Sequence, residues 1–103
     1  VIWAGEFGRT PMLQGESGRN HNPYGFNVWM AGGGVNAGTS IGATDEIGLR
    51  AVDQAQPVKN LHATILTALG IAPDDLFFEH QGRQERLTGV AQSWNLIPGV
   101  LRE

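Results

Sequence analysis

Residues 57–70, PVKNLHATILTALG, form the clearest helix in a chain of 103 residues, and their isolation most constrains the fold. Val58, Leu61, Ile65, Leu66 and Leu69 recur at helical spacing on one arc, which predicts an amphipathic helix burying that arc. Pro57 begins it, and Gly70 stops it as the residue just past the helix end. Only two other runs read clearly as strands: Val1-Ile2-Trp3, and residues 26–31, where Phe26, Val28 and Met30 alternate with Asn27 and Trp29. Two strands are marginal in water without further strands or packing. The chain therefore calls for completion, either by strands concealed in irregular sequence, as in a compact α+β domain, or by chain beyond these residues. Val1 already lies inside an apparent strand, so the expectation is a fragment of a longer protein.

The remainder is punctuated by glycine. Fifteen glycines are about twice average usage. Residues 4–25, AGEFGRTPMLQGESGRNHNPYG, read as one long polar loop, and a structureless stretch of that length is usually functional or disordered. Gly32-Gly33-Gly34 ends the second strand, and VNAGTSIGATDEIGLRAV reads as an irregular or hairpin-like excursion with turns at Gly38, Gly42 and Gly48. PDDLFF predicts one short helical turn opened by Pro73. QERLTGV predicts a short strand, and Pro98-Gly99 interrupts any helix near the end.

Several function classes fall away. A formal charge of −3 gives no electrostatic case for nucleic acid or an anionic membrane. The absence of cysteine removes disulfides, thiolate metal sites and a cysteine nucleophile together. No apolar run approaches the length of a membrane span, and no signal peptide is expected within these 103 residues, which says nothing of a longer parent chain. AGGGV lacks both the Gly-Lys-Ser/Thr ending of a phosphate-binding loop and the dinucleotide spacing. Ser17, Ser40 and Ser93 have neither an elbow motif nor an adjacent base.

Two residues carry the interest. Glu6 follows the first strand, where open α/β sheets place their ligands; it is either a functional carboxylate or a solvated strand-end residue. His21, in GRNHNPYG, is either an ordinary loop histidine or a metal ligand. Both lie between the two strands, and if those strands are parallel neighbours both side chains fall near one edge. Arg9 and Arg19 match phosphate or sulfate oxygens as forks, or make structural salt bridges to Glu6, Glu16 or Asp45. His62, within the helical arc, reads as a satisfied core or interface histidine, and no specific chemistry attaches to His80.

GEFGRTP, GRNH, AGGGVNAG, GATDEIG, LHATILTALGI and QGRQERLTGV occur in that order. Together they resemble the carboxyl-terminal part of domain-of-unknown-function family 1501, a bacterial family whose members are often labelled sulfatase-like, within the alkaline phosphatase–sulfatase superfamily. The resemblance spans nearly the whole chain. It implies that residues 1–103 are the carboxyl-terminal part of one sulfatase-like domain, an α/β sandwich with a mostly parallel sheet and metals at strand ends. It implies metal ligation by Glu6 and His21, an anion contact from Arg9 or Arg19, and a divalent ion such as zinc, manganese or calcium. Phe7 stands where an Asp-His-Gly turn supplies a histidine, and Asn20 stands where the family more usually has aspartate. What remains is one metal position completed by residues outside this chain, as is the nucleophile. The implied activity is metal-dependent hydrolysis of phosphate or sulfate esters, with the rest of the parent chain as partner and the isolated piece inactive. An extracytoplasmic location is implied in the same way. The alternative is a non-catalytic member that keeps the fold for binding or assembly.

Overall fold

A computed structural model describes residues 1–102. They divide into two compact units, one of Val1–Gly32 with Ser40–Ala55 and one of Gly33–Thr39 with the chain from Gln56 onward.

The first unit is built from three two-stranded antiparallel sheets. β1 (Ile2–Ala4) pairs with β4 (Val28–Met30), setting Ile2 opposite Met30, Trp3 opposite Trp29 and Ala4 opposite Val28. β2 (Gly8–Gln14) and β3 (Gly18–Asn22) form a hairpin, and β5 (Ala43–Thr44) pairs with β6 (Ala51–Asp53). In the second unit, α1 (Val58–Ala68) is followed by a 3-10 turn at Pro73–Asp75 and a hairpin of β7 (Phe77–His80) and β8 (Arg83–Arg86). The C-terminal segment returns to residues 34–36: Val35 bridges Leu101, and the Asn36 amide donates to the Val100 carbonyl at 2.8 Å.

The mostly parallel α/β sheet is thereby overturned, since every strand pair among the described residues is antiparallel. The physical reason lies in the connections. Parallel neighbours need a crossover of a dozen or more residues, usually a helix. Between β1 and β4 the chain instead folds into the β2–β3 hairpin, and α1 comes only after all three sheets of the first unit. The strand-like runs near residues 1–3 and 26–31 are present, but as antiparallel partners.

The β2–β3 hairpin occupies much of the stretch that reads as loop. Gly8 pairs with Asn22 and Arg9 with His21; beyond that the register shifts, so that Leu13 faces Arg19. Residues 10–12 therefore bulge against Asn20, which accommodates Pro11, a residue that cannot donate to a ladder. The bulge's carbonyls still need donors. Arg19 Nη1 supplies them, donating to the carbonyls of Thr10 at 3.1 Å and of Pro11. The Asn20 amide donates to the Thr10 hydroxyl at 3.1 Å.

The helix forms where expected and ends as expected. Gly70 has φ +81°, its amide donates to the Thr67 carbonyl, and the Ile71 amide donates to the Leu66 carbonyl. That is the paired closure of a Schellman motif. Its buried face differs from the predicted arc, however. Asn60, Ala63, Thr64 and Leu66 are buried, whereas Val58 and Leu69 are exposed. Hydrogen bonds explain the rotation. Asn60 Oδ1 accepts the Asn95 amide at 2.9 Å, and the Thr64 hydroxyl accepts the Ile97 amide at 3.0 Å while donating to the Asn60 carbonyl at 2.7 Å. The polar stripe of α1 thus provides partners for the Asn95 and Ile97 amides, each of which would otherwise need another acceptor. No helix of the described residues is long and apolar enough to cross a membrane.

Candidate functional site

Glu6 and Phe7 form the bend between β1 and β2, and His21 lies on β3 directly opposite Arg9. This hairpin, rather than a parallel sheet edge, brings Glu6 and His21 together. The Glu6 Oε1 atom and His21 Nδ1 are in hydrogen-bond contact. A carboxylate oxygen only accepts, so Nδ1 carries the proton of this bond. The side chains are 60% and 50% exposed respectively, and an ion pair in such surroundings adds little stability. Its consequence is orientation.

Phe7 supports that orientation. Its ring stands at 88° to the imidazole with centroids 5.8 Å apart. Where a ligand histidine was expected, an aromatic edge walls the histidine that is present.

The two arginines sit beside this pair. The ion pairs among the described residues are Glu6 with His21 and Arg83 with Glu85, so the anticipated bridges from Arg9 or Arg19 to Glu6, Glu16 or Asp45 do not form. Arg9 Nη1 donates instead to the Arg19 carbonyl at 3.2 Å, and Arg19 Nη1 serves the bulge. Arg9 also lines a cavity of about 340 Å³ together with Phe7, Gly8, Phe26, Asn27 and Thr44. Among the described residues no acidic side chain lines it, and Arg9 is the one that brings a formal charge.

Close backbone packing fixes the base of the hairpin. A Cβ at Gly8 would meet the Gly25 carbonyl at 2.5 Å, and one at Gly25 would meet the Arg50 backbone at 3.1 Å. Glycine is required at the first approach, and the second is tight for any side chain. Asn22, 2% exposed, ties the same region down. Its Nδ2 donates to the Leu49 carbonyl at 2.7 Å, and its Oδ1 accepts the Tyr24 amide at 3.1 Å. Sequence reading passed over Asn22 as one more polar loop residue. The available signal was Asn22-Pro23-Tyr24, because an asparagine before proline often bonds the amide two residues on.

The remaining histidines belong to the second unit. His62 Nδ1 donates to the Leu87 carbonyl at 3.2 Å, which satisfies it within the second unit. His80 ends β7 opposite Arg83, exposed.

As a metal centre the pair fits in kind and falls short in number. Imidazole and carboxylate are donors that zinc and manganese take. Catalytic zinc uses three protein ligands, and among the described residues no group of three or more His, Asp or Glu side chains could hold an ion. Glu6 and His21 could therefore supply part of a centre.

No curated protein and no solved structure matches the chain. The model of a family described as "Protein of unknown function (DUF1501)" matches residues 1–100, and the chain belongs to that family.

Proposed function

We propose that this chain contributes part of a metal-dependent hydrolase centre acting on phosphate or sulfate esters, with Glu6 and His21 in the metal site. The observation that carries the reading is the Glu6–His21 contact, which the hairpin makes between residues fifteen positions apart. A carboxylate and an imidazole meeting on the surface, with an aromatic edge against the ring, form an arrangement with more orientation than stability to offer. A zinc, manganese or calcium ion held there would polarise an ester oxygen or activate a nucleophile. Further ligands and the nucleophile would come from outside this pair. Arg9 lines the adjacent cavity without a carboxylate partner among the described residues, and its fork would orient the ester's anion. Arg19 would assist through the guanidinium nitrogens not committed to Thr10 and Pro11.

The second reading, a non-catalytic scaffold for binding or assembly, draws on a different feature. Trp3 and Trp29 face each other across β1 and β4 and are 77% and 59% exposed. Exposed aromatic surface is a common mark of a contact face.

Metal content separates the two. Mass spectrometry on the longest natural chain containing these residues, incubated with each ion in turn, should find near-stoichiometric metal that is lost in His21→Ala. Wild-type protein that takes up none of the ions sinks the hydrolase reading and leaves the scaffold.

A further inference from the structure

We propose that Glu6 is a positioning residue for His21 rather than a metal ligand: it holds the imidazole as the Nδ1–H tautomer and leaves Nε2 as the free nitrogen. The inference deepens the reading above and rests on it in taking His21 as the working side chain.

The chemistry of the contact sets the direction. An ionised carboxylate has no proton to give, so a hydrogen bond between Glu6 Oε1 and His21 Nδ1 places the hydrogen on Nδ1. A neutral imidazole protonated at Nδ1 has its one lone pair at Nε2. Were both atoms ligands of one ion, Nδ1 would be deprotonated and no hydrogen bond would join it to Oε1. Direct contact between the two atoms is the geometry of the first arrangement.

The frame around the pair acts in the same sense. Glu6 is carried on the bend leaving β1, and His21 on β3 in register with Arg9, so acceptor and donor belong to separate paired segments. Phe7 meets the imidazole edge-to-face at 5.8 Å, limiting rotation of the ring about its own bond. The His21 backbone amide is occupied by Asn20 Oδ1 at 2.9 Å. A carboxylate that fixes a histidine tautomer and ring orientation is the usual outer partner of a ligating imidazole, and it raises the basicity of the far nitrogen. The donor count agrees, because among the described residues His21 and Glu6 have no third His, Asp or Glu beside them. Counting Glu6 as an outer partner leaves His21 Nε2 as the single ligand atom this pair offers.

The test reads the tautomer directly and needs no metal. Long-range nitrogen–proton NMR correlations of the imidazole rings are recorded on the longest natural chain containing these residues, well above the ordinary imidazole titration range. His21→Ala identifies the His21 signals among those of the other histidines. The wild type should show His21 as the Nδ1–H tautomer. Glu6→Ala should release it to a mixture, and Glu6→Asp, one methylene shorter, should restore the bias in part. Zinc ion alone is then titrated. If it binds, Glu6→Ala should weaken it about 10- to 100-fold, and the loaded spectrum should mark Nε2 as the coordinating nitrogen. An Nε2–H tautomer in the wild type overturns the proposal, as does a tautomer unmoved by Glu6→Ala or a zinc-loaded spectrum with Nδ1 coordinated. Failure of zinc to bind at all strikes the metal reading alone, because the metal-free tautomer has already decided the role of Glu6.

Discussion

The Asp74 carboxylate accepts the Trp94 indole N–H at 2.8 Å and the Gln92 backbone amide at 3.0 Å. These donors, the indole first, hold its pKa below the ordinary value near 3.8, with the Arg86 charge adding in the same direction. A carboxyl group whose folded pKa is depressed contributes stability that is fully present above the unfolded value and is lost as pH falls through the folded one. Denaturant midpoints measured down the acid limb should therefore fall in the wild type below about pH 4, and fall less in Asp74→Asn. Equal acid sensitivity in both would remove Asp74 from this role. Residues of this kind were poorly legible in the sequence. Glu6 and His21 stood out because one follows an apolar run and both lie in the polar stretch between two strand-like segments. Asp74 and Asn22 did not, since their importance lies in backbone amides and carbonyls that only the folded chain brings to them.

At the scale of elements, the β7–β8 turn carries a testable strain. His80 pairs with Arg83 across two residues, Gln81 at φ +51° and Gly82 at φ +79°. Two positive φ values in a two-residue loop are the type I′ pattern, which favours Asn-Gly. Glutamine has no short polar group to bond the local backbone and bears the left-handed penalty of an ordinary side chain. Gln81→Asn should raise stability by roughly 0.5 kcal/mol, read from urea unfolding, and a neutral or lowered midpoint would contradict the turn assignment. Elements were legible to the degree that one local rule governed them. Pro73 opening a turn and Gly70 closing α1 are local, and both are present. The β2–β3 hairpin is not local in that sense. Pro11 and a bulge spanning residues 10–12 erase the alternation that marks a strand, so a paired segment looked like a loop. The buried face of α1 was misplaced for a related reason, because Asn60 and Thr64 are chosen by hydrogen bonds to residues 95–97 rather than by hydrophobicity.

Over the whole molecule, Ala63, Leu66 and Pro73 are buried apolar residues, while Val1, Trp3, Val90 and many other large apolar side chains stand exposed. A stable domain draws on burial across a core. The 103 residues alone should accordingly unfold with less than about 3 kcal/mol and bind an apolar dye before denaturant is added. Tryptophan fluorescence against urea checks this; a steep single transition without dye binding would identify a self-sufficient domain instead. Fold class was the least legible level, because the resemblance supplied a parallel sheet that the order of strands and helix in this chain does not form. The hairpin's anchorage at Gly8, Asn22 and Gly25, set against its exposed tip at residues 15–17, has a corollary. Side chains at Glu16 and Ser17 stand exposed at the tip, whereas a side chain at Gly8 would collide with the Gly25 carbonyl. A change of charge at the outer loop should therefore leave the Glu6–His21 pair in place, with freedom and constraint lodged at opposite ends of a single ribbon.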